Sequence, residues 1–171
     1  MDRSPTRILF VCHGNICRST MAEFVMAHLV REAGRDDEFQ IDSAATSTEE
    51  LGNDVHPGTR RKLEQVGVPC GHHAARQMSA ADYGRFDHIV GMDSENIVGI
   101  QCLLSGMRGP GYSWRPLDAR AAAAADPDHK VSKLLSWAGD GRDVADPWYT
   151  GDFDATYRDV LRGCAAMLEQ L

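Results

Sequence analysis

The apolar residues Ile8, Leu9, Phe10 and Val11 run without a break between Arg7 and Cys12. Such a run, short and flanked by polar residues, predicts a strand over residues 7–12 that is buried on both faces. Residues 19–32 follow with helical spacing and a stop near Gly34. A second strand is predicted over 39–43. A loop of small and acidic residues, 44–54, leads to a helix over 58–66 that ends at Gly67 with Pro69 beyond. Residues 79–83 read as a helical turn and 86–92 as a third strand. Asp93 or Ser94 then caps a helix that runs to about Leu104. A fourth strand is predicted over 131–137. The strongest amphipathic pattern lies in 152–171, where Phe153, Tyr157, Val160, Leu161, Cys164, Met167 and Leu168 recur at three- and four-residue spacing.

Strands alternating with helices predict an α/β fold of three layers, a four-stranded parallel sheet with helices on both faces. Residues 105–127 break the alternation. Gly106, Gly109, Pro110 and Gly111 cluster there, followed by the run Ala121 to Ala125. This stretch reads as a surface excursion carrying a short helix. With no repeat and no linker, the whole chain, 1–171, reads as a single domain.

Composition narrows the classes. Net charge is −7 and the pI is near 5.4, which argues against general binding to nucleic acid or to an anionic membrane. The five cysteines, at 12, 17, 70, 102 and 164, are scattered and odd in number. They predict a reducing, cytoplasmic setting rather than a disulfide scaffold. No apolar run approaches the roughly 18 residues of a membrane span, and the polar start of the chain does not read as a signal peptide. The histidines show no metal-ligand spacing, and no cofactor is implied.

The chemistry concentrates in Cys12-His13-Gly14-Asn15-Ile16-Cys17-Arg18-Ser19, placed between the first strand and the first helix. Cys12 is a candidate nucleophile, since a helix N-terminus and a nearby cation lower a thiol pKa from its free value of about 8.5. Arg18 offers a planar fork for two oxyanions. A cation at a helix N-terminus is otherwise unfavourable unless an anion lies between them. Gly14 and Asn15 suit a loop with positive φ and inward N–H groups. Together these residues, His13 to Ser19, predict a phosphate-binding loop, and Ser19 can donate its hydroxyl to the thiolate. Ester cleavage also needs a general acid. Asp146, in the turn-forming pair Asp146-Pro147, is the candidate, and Trp148 and Tyr149 beside it can stack on an aromatic ring. Asp126-Pro127 is a second such pair, but it lacks aromatic neighbours.

The Cys12 to Ser19 segment resembles the signature loop of the low-molecular-weight protein tyrosine phosphatases. The resemblance extends through Asp42-Ser43-Ala44-Ala45-Thr46, His73-Ala74-Ala75-Arg76-Gln77, residues 86–93 and Asp146-Pro147-Trp148-Tyr149. It implies hydrolysis of phosphotyrosine monoesters through a phosphocysteine, with Cys12, Arg18 and Asp146 as catalytic residues. It further implies that Asn15, Ser19, Ser43 and His73 support the loop, with His72 the alternative to His73, and that Cys17 forms a reversible disulfide with Cys12. Trp148 stands where the family usually has Tyr. Glu49, followed by Glu50, stands where many members have a large aromatic on the opposite pocket wall, and acidic groups there would repel acidic peptide flanks. Thr20 replaces a common Pro, and the 105–125 excursion is longer than the family pattern. The implied partner is a phosphotyrosine-containing protein, a tyrosine kinase among the candidates, and the implied state is a monomer or weak dimer. Arsenate reductase, protein-arginine phosphatase and a non-catalytic phosphotyrosine-binding module are the rivals. The first lacks an obvious cysteine relay. Against the second stands Ile16, where relatives of that preference carry a small polar residue. Against the third stand Cys12, Arg18 and Asp146 together.

Overall fold

A computed structural model describes residues 4–171. The polar start of the chain falls partly on residues 1–3, outside the described residues. The element order is β1 (Thr6–Cys12), α1 (Arg18–Glu32), β2 (Phe39–Ala45), α2 (Pro57–Gln65), α3 (Asp82–Arg85), β3 (His88–Gly91), α4 (Ser94–Leu104), α5 (Ala119–Ala125), β4 (Val131–Lys133), α6 (Pro147–Thr150) and α7 (Phe153–Gln170). Short 3-10 turns cover Asp36–Glu38 and Leu134–Ala138.

The strands form one parallel sheet in the order β2-β1-β3-β4. The uninterrupted apolar run of β1 has its explanation here: Ile8, Leu9, Phe10 and Val11 are all fully buried. Ile8 and Phe10 point into a core with Met21, Val25 and Met26 of α1 and Val160, Cys164 and Met167 of α7. Leu9 and Val11 point the opposite way, to Met78, Phe86, Ile100 and Leu103. Alternation along one strand thus supplies both cores of a three-layer α/β fold. Each fully buried aliphatic side chain contributes roughly 1.5–3 kcal/mol. The chain visits β2 on one side of β1 and then β3 on the other, so the carboxyl end of β1 is the switch point where parallel sheets open a ligand crevice.

Element boundaries depart from the sequence pattern in a few places. The fourth strand stops at Lys133 instead of running to Trp137. Leu134 turns inward against α7, where Gly163 leaves room: a Cβ on Gly163 would collide with the Leu134 side chain. The second helix starts at Pro57 with His56 as its cap, the ring Nδ1 accepting the Gly58 N–H at 3.0 Å. The 105–125 stretch carries α5, as the alanine run predicts, but its first half is not a free surface excursion. It docks on residues 46–48: Pro110 O accepts the Thr48 N–H at 2.8 Å, and Trp114 Nε1 donates to Thr46 O at 3.1 Å. Gln77 Nε2 bridges Thr46 O and Gly109 O. No helix among the described residues is long and apolar enough to cross a membrane.

Candidate active site

β1 delivers Cys12, 3% exposed, to the sheet's carboxyl edge, and α1 begins at Arg18. The carbonyls of Cys12, His13, Asn15, Ile16 and Cys17 are turned outward and tied down. Cys12 O accepts the Thr46 N–H at 2.9 Å, and His13 O accepts the Ser47 N–H at 3.1 Å and its hydroxyl at 2.9 Å. Asn15 O accepts His73 Nε2–H at 2.7 Å, Ile16 O the His56 N–H at 2.9 Å, and Cys17 O the Thr20 hydroxyl at 2.9 Å. In a trans peptide the N–H points opposite to its carbonyl, and no cis bond occurs among the described residues. The N–H groups of His13, Gly14, Ile16, Cys17 and Arg18 therefore face the inside of the loop, the arrangement of an anion nest. Asn15 sits at φ 60°, a left-handed conformation that costs a non-glycine residue about 1–3 kcal/mol and needs support. Its Nδ2 donates to Ser19 Oγ at 2.8 Å and Ser43 Oγ at 2.9 Å, and its Oδ1 accepts the Arg76 N–H at 3.3 Å. The Asn15 N–H donates to Cys12 Sγ at 3.3 Å, and Ser19 Oγ lies 3.1 Å from that sulfur.

Arg18 is 3% exposed. One terminal nitrogen donates to Asp93 Oδ2 at 2.7 Å and to Val144 O at 3.2 Å, and the other lies 3.1 Å from Asp146 Oδ2. Burial alone would lower its pKa, but Cys12, Asp93 and Asp146 outweigh that and raise it, so the charge is permanent. Asp146 caps α6, its Oδ1 accepting the Trp148 N–H at 3.0 Å, with Pro147 opening the first turn. Its side chain is 26% exposed. Asp126, and the aspartates that flank Asp146 in sequence, Asp143 and Asp152, are engaged elsewhere. Asp126 accepts from Tyr83 Oη at 2.7 Å and from the Lys130 and Val131 N–H groups. Asp143 pairs with Lys133 Nζ at 2.9 Å, and Asp152 caps α7.

A buried cysteine inside an anion nest, an arginine fork and a carboxyl on that fork form a site for phosphate esters, and comparison with known proteins agrees. The family model for low molecular weight phosphotyrosine protein phosphatase matches residues 7–108. The low molecular weight protein-tyrosine-phosphatase YfkJ of Bacillus subtilis is 32% identical over 166 residues, covering 96% of this chain and 94% of that protein. The chain belongs to the low molecular weight phosphotyrosine protein phosphatase family. The Rattus norvegicus low molecular weight phosphotyrosine protein phosphatase is 34% identical over 166 residues, 95% of this chain and 94% of that one. The crystal structure of YfkJ superimposes with a TM-score of 0.84 at 31% identity, covering 99% and 96% of the two chains. That of a Drosophila arginine phosphatase does so with 0.76 at 27%, covering 95% and 96%.

The residues that the resemblance assigns to the pocket wall separate into two kinds. Trp148 is 65% exposed and Tyr149 85%. Trp148 meets the His56 ring edge-on at 6.3 Å, and His56 stacks on Phe153 at 5.4 Å. Gly58 permits this, because a Cβ there would collide with the Phe153 ring. Glu49 Oε2 lies 2.9 Å from His13 Nε2, a polar pair. Cys17 is a free, buried thiol whose pKa is pushed up to about 12, by burial first and then by Cys12 and Asp146. Among the described residues no group of three or more His, Cys, Asp or Glu could hold a metal ion.

The structure adds participants that the motifs alone do not single out. Asp93 reads in the sequence only as a helix cap, which it is, its side chain accepting the Asn96 N–H. It also grips Arg18, because parallel pairing of β1 and β3 brings their ends together. That adjacency leaves no mark on the local sequence pattern. Glu23 Oε2 accepts the Ser43 hydroxyl at 2.6 Å, behind Asn15. Burial raises the Glu23 pKa to about 6 despite that bond.

Proposed function

We propose that the chain hydrolyses phosphotyrosine monoesters through a phosphocysteine on Cys12, with Asp146 as general acid and then general base. The convergence of Arg18 on Cys12, Asp93 and Asp146, above a loop with every tied carbonyl turned outward, carries this reading. The loop N–H groups and Arg18 hold three phosphoryl oxygens and stabilise the charge that builds on them. The Cys12 thiolate attacks phosphorus, the bond to the tyrosyl oxygen breaks, and Asp146 gives that oxygen its proton. Water then attacks the phosphocysteine, passing a proton to the Asp146 carboxylate, and the Cys12 thiolate leaves as inorganic phosphate forms. Ser19 Oγ, 3.1 Å from the sulfur, donates to the departing thiolate. The Asn15, Ser43 and His73 network supports the loop geometry in both steps. Trp148 and Tyr149 offer the tyrosyl ring a wall, and the Glu49 and His13 pair faces the flanking peptide.

The odd count and scattered spacing of the five cysteines support a reducing, cytoplasmic setting. There Cys17 serves as a redox partner, closing a disulfide with Cys12 once peroxide has oxidised the nucleophile to a sulfenic acid, with water leaving. Peroxide followed by a thiol reductant is expected to restore activity, and peptide mapping of the oxidised form to show Cys12 joined to Cys17; irreversible sulfonate at Cys12 with Cys17 free would contradict that role. The natural partner in this reading is a phosphotyrosine-bearing protein, with a tyrosine kinase as one candidate.

The substrate class is tested by comparing kcat/KM on matched phosphotyrosine and phosphoarginine peptides, together with thiol-dependent arsenate reduction. Phosphotyrosine turnover at least tenfold ahead of phosphoarginine, with no arsenate reduction, is the expected outcome. The reverse order, or arsenate turnover, would replace this reading with one of its rivals.

A further inference from the structure

The loop that carries Asp146 is held from behind by the middle of α7. Asp159 Oδ2 accepts the Ala145 N–H at 3.1 Å, and Asp159 Oδ1 accepts from Arg142 at 3.0 Å. Thr156 donates its hydroxyl to Ala145 O at 2.8 Å. Both polar groups of the residue before Asp146 are therefore bound by side chains one helical turn apart on α7. Thr156 is fully buried and Asp159 is 8% exposed. On the other side Val144 donates its N–H to Met92 O at 2.9 Å and accepts from Arg18 at 3.2 Å.

Neither of these Asp159 side-chain bonds goes to α7 itself. The residue lies well inside the helix, where Asp is a poor helix former, and Asp152 already caps the N-terminus. Removing a carboxylate from water is costly unless its oxygens are satisfied, and here both bonds go to the segment leading into Asp146. Catalysis is sensitive to such placement: a displacement of about 1 Å at a reacting group can cost about a hundredfold in rate.

We infer that Asp159 and Thr156 are positioning residues that aim the Asp146 carboxyl at the leaving-group oxygen. This rests on the proposed acid role of Asp146, so the test includes that residue. The measurement is kcat/KM, which reports the steps through departure of the leaving group, for phosphotyrosine and for dinitrophenyl phosphate, whose leaving group hardly needs a proton. Asp159→Ala is expected to lower kcat/KM about ten- to a hundredfold on phosphotyrosine and less than about threefold on dinitrophenyl phosphate. Asp159→Asn, which keeps an acceptor for the Ala145 N–H, should recover most of the loss. In the Asp146→Asn background, Asp159→Ala should have little further effect. Thr156→Val supplies the same comparison should Asp159→Ala not fold.

Equal losses on both substrates, or losses that multiply with Asp146→Asn, would show that Asp159 only stabilises the fold and would overturn the inference. An Asp146→Asn variant with no leaving-group dependence would instead overturn the acid assignment on which the inference stands.

Discussion

Arg18 is the residue at which the site's chemistry meets its support. Two carboxylates and a backbone carbonyl orient its fork. A lysine places one point charge and can satisfy only part of that set. Arg18→Lys is expected to lower kcat/KM on phosphotyrosine by about 10²–10³-fold and to weaken vanadate inhibition, with circular dichroism unchanged. Near wild-type kinetics would place Arg18 outside the phosphate site. Glu23 makes a second residue-scale prediction, in pH. Its folded pKa, about 6, lies above the ordinary value of 4.5, so folding favours the protonated form. The stability associated with the protonated form is fully present below pH 4.5 and is lost as pH rises through about 6. Glu23→Gln, which keeps an acceptor for Ser43, removes a penalty on the order of 1–2 kcal/mol at pH 7 and above. Its melting temperature should exceed that of the parent at pH 7.5 and converge with it near pH 4.5. An equal difference at both values would contradict the assignment. At this scale the sequence is legible where chemistry is local. Cys12, Asn15, Arg18 and Ser19 lie within one loop, and their residue types narrow the options. Asp93 and Asp159 are not legible in the same way, because their partners lie 75 and 14 positions away and their types are equally at home in caps and on solvated surfaces.

Among the elements, β1 follows from its unbroken apolar run, α1 from its helical spacing and the stop near Gly34, α4 from its cap and α7 from its amphipathic period. The fourth strand does not, because Leu134 and Leu135 are apolar and fully buried whether they continue a strand or turn onto α7. The 105–118 segment is the larger surprise. Its glycines read as freedom, whereas Gly111 is a packing requirement: at φ 74° a Cβ there would collide with Thr46 O, and it also approaches Ser47 and Trp114. Gly106, at φ 90°, has nothing near its absent Cβ. Gly106→Ala should cost only the left-handed backbone penalty of about 1–2 kcal/mol, while Gly111→Ala adds the collision and undocks the segment. The expected reading is a lower melting temperature and faster proteolysis within 105–118 for Gly111→Ala than for Gly106→Ala. Equal behaviour would mean that the segment does not depend on its contact with residues 46–48. Since Thr46 and Ser47 also bind the carbonyls of Cys12 and His13, undocking is expected to weaken phosphate binding as well.

Across the whole molecule, the three-layer order places one loop, one helix end and one acid at the same sheet edge. The fold class was readable from strand–helix alternation, and strand order was not, because crossovers leave no mark on local periodicity. The net charge of −7 says little about a site that collects inward N–H groups and a buried arginine, since those donors act at contact distance while the global field is screened within about 8–10 Å in ordinary buffer. The proposed reaction turns on a covalent phosphate on Cys12. The direct measurement is rapid acid quenching during turnover of a phosphotyrosine peptide, followed by peptide mapping of the trapped enzyme. A phosphate on Cys12 is predicted to reach a steady level in the parent, to accumulate further in Asp146→Asn if hydrolysis slows more than transfer, and to be absent in Cys12→Ser, which should have no turnover. Phosphate trapped on another residue, or turnover persisting in Cys12→Ser, would contradict it.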